Sequence, residues 1–245
     1  MRPINRRDML KSTCGIGALL ALPAGELLAQ GQQFRFTQLR LGGQGQAQLN
    51  PLVSAMDSHE DRLIDDLLGN DQNGERQDLG SIDQDIDGLL NNPGNAINLD
   101  QGAFRQDGMI IHDRIGRTLD GGLDQRVIFG VVQLIDFFVG HWYPCNDIYE
   151  VSVCEQKVWN SINAGNLHVA EFYCCHMQFE MDAMFRFHRR RGDFVRQTNG
   201  LLGVLGRVQG MARQNDARGC RQEFMRFTMA TDLIYRRHYP EWCAA

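Results

Sequence analysis

Residues 171–182 read EFYCCHMQFEMD, and two cysteines beside a histidine raise the question of a metal or redox centre. A helix turns about 100° per residue, so Cys174, Cys175 and His176 fan out over roughly 200° and cannot close on one ion. Helical spacing instead places His168, Glu171, Cys175, Gln178 and Asp182 on one face. Imidazole, carboxylate and thiolate together suit Zn, Fe or Cu, and His141 or His188 would complete the set from elsewhere. His168, Glu171, Cys175 and Asp182 are therefore the candidate metal ligands, against the plainer reading of a polar face in which Cys175 takes a disulfide partner. Cys174 falls with Leu167, Ala170, Met177, Met181 and Met184 on a core stripe. His176 stands one turn before Glu180, a spacing for a surface hydrogen bond or ion pair. A four-helix di-iron site calls for Glu-x-x-His on two helices, and the sequence contains none.

A second metal candidate is Asp83-Gln84-Asp85-Ile86-Asp87-Gly88, with carboxylates at alternate positions and then a turn glycine. It resembles the start of an EF-hand calcium loop, which implies Asp83, Asp85 and Asp87 as Ca²⁺ ligands. The position that should supply a bidentate glutamate is Gly94, so an Asp-rich solvated turn is the competing reading. No Gly-x-Ser-x-Gly, Ser-x-x-Lys, phosphate-binding glycine loop or His-Glu-x-x-His occurs, and no catalytic residue is assigned. The absence of Cys-x-x-Cys and Cys-x-x-Cys-His argues against a thioredoxin-like motif and against covalent c-type haem. The cofactor reading is thus a transition metal or Ca²⁺.

The N-terminus opens with INRRDMLK, continues through the apolar CGIGALLALPA and leaves through GELLAQG. A basic start, a short apolar run and small residues describe an export signal. Arg6-Arg7-Asp8-Met9-Leu10-Lys11 resembles the twin-arginine signal, which implies a protein exported already folded, often with a cofactor inside. Cleavage is expected after Ala29, with Ala24 as the other site, giving a periplasmic protein that has lost Cys14. Six cysteines then remain: Cys145, Cys154, Cys174, Cys175, Cys220 and Cys243. An even number in an oxidising compartment predicts disulfides, with Cys174–Cys220 the favoured pair because both fall on core stripes.

Three sections follow from composition: a signal at 1–29, a Gln/Gly-rich and then Asp-rich section at 30–124, and a helical, disulfide-rich domain at 125–245. FRFTQLRL, at 34–41, alternates like a short strand. Residues 61–124 hold 13 Asp and one Glu against five Arg and read as irregular, with short helical pieces. Within them IDDLLGN at 64–70 returns as IDGLLNN at 86–92. Beyond 125, helices are predicted over 127–140 (with a buried strand as the alternative there), 148–163, 166–190, 194–213 and 217–238, with a turn at 143–147. The expected fold is mainly α: an antiparallel, disulfide-stabilised helical bundle behind an irregular acidic segment.

Charge is uneven. Residues 186–245 hold 12 Arg against five acids, and the whole chain has a net charge of −5. The acidic segment is expected to neutralise the basic helices, while Arg189, Arg190 and Arg191 offer an alternative contact with an anionic surface. Nucleic acid is not an expected partner, and no transmembrane segment is read; another periplasmic protein or a second copy is. The leading functional expectation is an exported binding or accessory protein without chemistry of its own. A metal or redox protein and a calcium-dependent assembly protein are the alternatives.

Overall fold

The computed structural model describes residues 49–187 and 192–238, and among them the regular elements are α-helices. They are α1 (Pro51–Gly69), α2 (Gln72–Asn91), α3 (Gln101–Gly121), α4 (Gln125–Trp142), α5 (Pro144–Asn163), α6 (Leu167–Phe187), α7 (Gly192–Arg213) and α8 (Ala217–His238). The five helices expected beyond residue 125 are present. The expected turn at 143–147 is instead a junction at Tyr143, and Cys145, Asn146 and Asp147 form the first turn of α5 behind Pro144. The export signal with its Ala29 cleavage site, the strand at 34–41, His188, Arg189–Arg191 and Cys243 lie outside the described residues.

The largest correction concerns 61–124, which is helical rather than irregular. Much of its Asp and Asn content stops and starts helices. Asn50, Asp71, Asp100 and Asp124 cap α1, α2, α3 and α4, each side-chain oxygen accepting one or two of the backbone N–H groups that lack helical partners. The sequence echo is structural too. Ile64–Asn70 ends α1 and Ile86–Asn92 ends α2, with Ile64, Leu67, Ile86 and Leu89 buried in both copies. Asn70 closes α1 in the left-handed region, at φ 57°, where asparagine is tolerated better than most residues.

Successive helices pack on one another along the chain, and α4 also packs on α6, α5 on α8, and α1 on α4 and α5. One hydrophobic core runs from Val53 in α1 to Tyr235 in α8, so it is continuous across the compositional break at 124–125. Within it Phe104 of α3 meets Phe138, Trp142 and Tyr143 at ring-centroid separations of 5.1, 5.5 and 6.3 Å. These contacts, with the Tyr143 hydroxyl donating to the Pro93 carbonyl at 2.8 Å, fix the α4–α5 corner. Among the described residues, no helix is long and apolar enough to cross a membrane.

An amide clamp ties α1 to α5. Asn146, fully buried, accepts the Asn50 N–H at 2.9 Å, and its own amide donates to the Asn50 carbonyl at 3.3 Å and to Ser54 Oγ at 3.0 Å. Removing it strands the buried Asn50 N–H, while the Asn50 carbonyl keeps the Ser54 N–H at 2.9 Å. Asn146→Ala is therefore expected to cost about 1–3 kcal/mol, read from the urea midpoint; an unchanged midpoint would show that water replaces the amide without loss.

Candidate metal centre

Two helical pairs at four-residue spacing face each other across the α5–α6 hairpin: Glu150 with Cys154, and His176 with Glu180. One possible ligand atom from each lies within 4.8 Å of all the others. Cys154 Sγ stands 3.7 Å from Glu150 Oε1, and His176 Nε2 stands 3.5 Å from Glu180 Oε1. The four side chains are sealed in the interior, from Cys154 at 0% exposed to Glu150 at 7%. The helix accounts for each pair, because residues four apart lie one above the other on the same face, and the packing of α5 on α6 brings the pairs together.

The remaining edge of the imidazole meets a second set of acids. His176 Nδ1 is 3.6 Å from Asp136 Oδ2 on α4, and Glu60 of α1 brings a carboxylate oxygen within 4.8 Å of both. Asp57 of α1 and Asp147 of α5 are also buried, and Asp136 adds to the electrostatic cost of ionising each, as Asp57 does for Asp147. Asp57 Oδ2, Glu60 Oε1, Asp136 Oδ2, both oxygens of Asp147, His176 Nδ1 and Glu180 Oε2 have no hydrogen-bond partner.

Burial, reinforced by neighbouring carboxylates, holds Asp57, Glu60, Asp147, Glu150 and Glu180 well above the usual carboxylate range. Burial also raises Asp136, though the adjacent His176 opposes it, and raises the Cys154 thiol. Lys157 acts in the opposite direction on Glu150 and Cys154. That lysine is engaged further along α5, where it pairs with Asp61, lies 4.7 Å over the Tyr173 ring and donates to the Tyr173 hydroxyl at 3.1 Å.

Taking an isolated carboxylate out of water costs several kcal/mol even after relaxation. Such a group either keeps its proton or meets a cation. Glu150, Cys154, His176 and Glu180 offer two oxygens, a sulfur and a nitrogen, a donor set suited to a tetrahedral Zn²⁺ or to another first-row transition ion. Asp136 would then hold the far edge of the imidazole and orient it, as carboxylates behind metal-bound histidines do.

The ligand face read from sequence lies elsewhere on α6. His168 is exposed, Glu171 accepts from Arg213 Nε of α7 at 2.6 Å, and Cys175 and Asp182 are half-buried. His168 instead lines a cavity of about 320 Å³ with Leu67, Leu68, Asn70, Gln125, Phe129 and Phe172. His141 stacks on Trp142, with its Nδ1 3.7 Å from Asp107. The structure thus gathers neither His141 nor His168 with the buried cluster. It also corrects the reading of His176–Glu180 as a surface pair, since both are at most 2% exposed.

Asp83, Asp85 and Asp87 lie inside α2, with no loop to wrap an ion. Asp83 and Asp85 take His112 and His59 as partners, each at 2.8 Å, and a helix turns successive alternate residues to opposite sides. The EF-hand resemblance therefore stops at the sequence. No two described cysteines are at disulfide distance, so the expected cross-linking is absent among them. Cys174 and Cys220 do occupy the core, as their stripes required, and Cys220 Sγ donates to the Val208 carbonyl at 3.5 Å. Cys145 is buried at the start of α5.

Asp136 had a visible signal as an acid within the apolar run VIFGVVQLIDFFVG. Glu150–Cys154 and His176–Glu180 had another in their matched spacing. No known protein family, curated protein or solved structure matches the chain.

Proposed function

We propose that this protein is a metalloprotein that holds a first-row transition-metal ion on Glu150, Cys154, His176 and Glu180. The carrying observation is a buried, converging donor set inside a cluster of carboxyl oxygens without hydrogen-bond partners. A divalent ion supplies the positive charge that this interior needs, and it releases protons from the acids and the thiol as it binds. The ligands' burial favours holding the ion for structure or electron transfer over turnover of a bulky substrate. The helices form a bundle around it.

The twin-arginine-like Arg6–Lys11 fits this reading, because a protein exported folded would take up its metal in the cytoplasm and carry it to the periplasm. An accessory role there, docking on another periplasmic protein, is compatible with a centre that turns nothing over. Calcium-dependent assembly through α2 has no comparable support.

Elemental analysis of protein purified without chelator tests the reading. About one Fe, Zn or Cu ion per chain is expected, falling to background in a Glu150→Gln/His176→Ala double variant. Wild-type protein that neither carries such an ion nor takes up Zn²⁺ or Co²⁺ on reconstitution would sink it.

A further inference from the structure

His176 has two nitrogen edges, and the thiolate site of Glu150, Cys154, His176 and Glu180 uses one of them. Nε2 stands 3.5 Å from Glu180 Oε1, whereas Nδ1 stands 3.6 Å from Asp136 Oδ2 on α4. Glu60 of α1 joins the latter pair in a second convergent group, in which one ligand atom from each of Glu60, Asp136 and His176 lies within 4.8 Å of the other two. The three residues are at most 4% exposed. Glu60 Oε1, Asp136 Oδ2 and His176 Nδ1 have no hydrogen-bond partner among the described residues. Helix capping accounts for none of them, since Asn50 and Asp124 cap α1 and α4 and His176 lies in the middle of α6.

We infer that Glu60, Asp136 and His176 Nδ1 hold a hard divalent ion such as Mn²⁺, and that this ion and one in the thiolate site exclude each other because both need the same imidazole. The inference deepens the metal reading and rests on it for the competing ion. Two carboxylates and one imidazole, without sulfur, suit Mn²⁺, whereas the set that includes the thiolate suits Zn²⁺. A neutral imidazole has one acceptor nitrogen, and the other carries the proton. With Zn²⁺ on Nε2, the Nδ1–H faces Asp136; with Mn²⁺ on Nδ1, the Nε2–H faces Glu180. One ring therefore serves either ion but not both, and its tautomer follows the ion that is bound.

Metal-free protein is titrated with Mn²⁺, with bound Mn²⁺ read from loss of the free-ion electron paramagnetic resonance signal. Zn²⁺ binding is followed separately by competition with a chromophoric chelator. One Mn²⁺ per chain is expected, and one equivalent of Zn²⁺ should expel it. Glu60→Gln should weaken Mn²⁺ binding about tenfold or more while leaving Zn²⁺ affinity nearly unchanged, and Glu150→Gln should do the reverse. Circular dichroism checks that each variant folds, and Glu60→Met, apolar and close in volume, takes the place of Glu60→Gln if that variant does not. Zn²⁺ bound without any Mn²⁺ uptake overturns the inference and leaves the thiolate site standing. Mn²⁺ retained beside Zn²⁺ overturns the exclusion. Mn²⁺ affinity that falls with Glu150→Gln and not with Glu60→Gln puts both ions on the thiolate set and overturns the ligand assignment. Mn²⁺ bound without Zn²⁺ overturns the thiolate site, and with it the exclusion, and leaves the carboxylate ligands standing; failure of both ions overturns both readings.

Discussion

Metal-free protein carrying Glu150→Met is expected to unfold at higher urea than the unmodified chain, and to have lost its response to Zn²⁺. Both halves follow from the burial of Glu150 at 7% exposure among other acids that oppose its ionisation. Methionine fills a similar volume and needs neither proton nor partner, and among the described residues the hydrogen bond given up is the weak Cys154 Sγ contact at 3.7 Å. Replacing buried ionic groups by apolar ones of similar size stabilises proteins by about 1–4 kcal/mol where the polar groups are poorly compensated. For the unmodified chain, an ion present at about a thousand times its dissociation constant adds about 4 kcal/mol, and the variant forfeits this. The two curves should cross: the variant is the more stable with chelator, the unmodified chain with Zn²⁺. If Glu150→Met is less stable under both conditions, the glutamate serves the fold and not a metal.

The second large effect is on pH dependence. With metal removed, stability is expected to fall as pH rises. Burial raises Asp57, Glu60, Asp147, Glu150 and Glu180 in the folded chain above their ordinary values of 3.8 for aspartate and 4.5 for glutamate. Between those values and the raised ones, the folded state holds protons that the unfolded state has released. Their contribution is complete below the unfolded range and is lost as pH climbs through the folded values, at about 1.4 kcal/mol per pH unit for each extra proton held. Zn²⁺ opposes this slope, because the bound ion displaces protons from Glu150, Glu180 and the Cys154 thiol. Urea midpoints from about pH 5 to about pH 8, with chelator and with metal, should diverge steadily. A chelated protein with a flat profile over that range would mean that the acids do not retain protons when folded.

Helix positions beyond residue 125 were legible because apolar residues recur there at helical spacing, as at Leu201, Val204, Leu205 and Val208, all buried. The acidic half was misread because Asp and Asn favour both loops and helix caps, and local composition does not separate the two. Asp71 and Asp100 sit where loop reasoning would put them, yet each opens a long helix. The buried cluster escaped the sequence reading for a different reason. Grouping residues by one helix's polar face selected His168, Glu171, Cys175 and Asp182, and a polar face is what solvent or a polar neighbour ordinarily covers. The buried set instead interrupts apolar stripes: Asp136 among Ile135 and Phe138, and His176 and Glu180 beside Met177 and Met181. Seeing that they meet required knowing that α4, α5 and α6 adjoin, and that α1 comes alongside from nearly ninety residues earlier. One sequence does not carry that adjacency. The same limit applied to the cysteines, whose even number suggested bridges while Cys154 sits beside a glutamate.

The short link at Ala164–Asn166 between α5 and α6 has a further consequence. All four thiolate-site ligands belong to one helical hairpin, so little chain entropy is spent in bringing them together compared with a site drawn from across the sequence. A partly unfolded chain that keeps this hairpin keeps the means to chelate. Ion binding to such non-native states subtracts from the stabilisation that native affinity alone would give. Protection against denaturant should thus lag behind the tightness of binding.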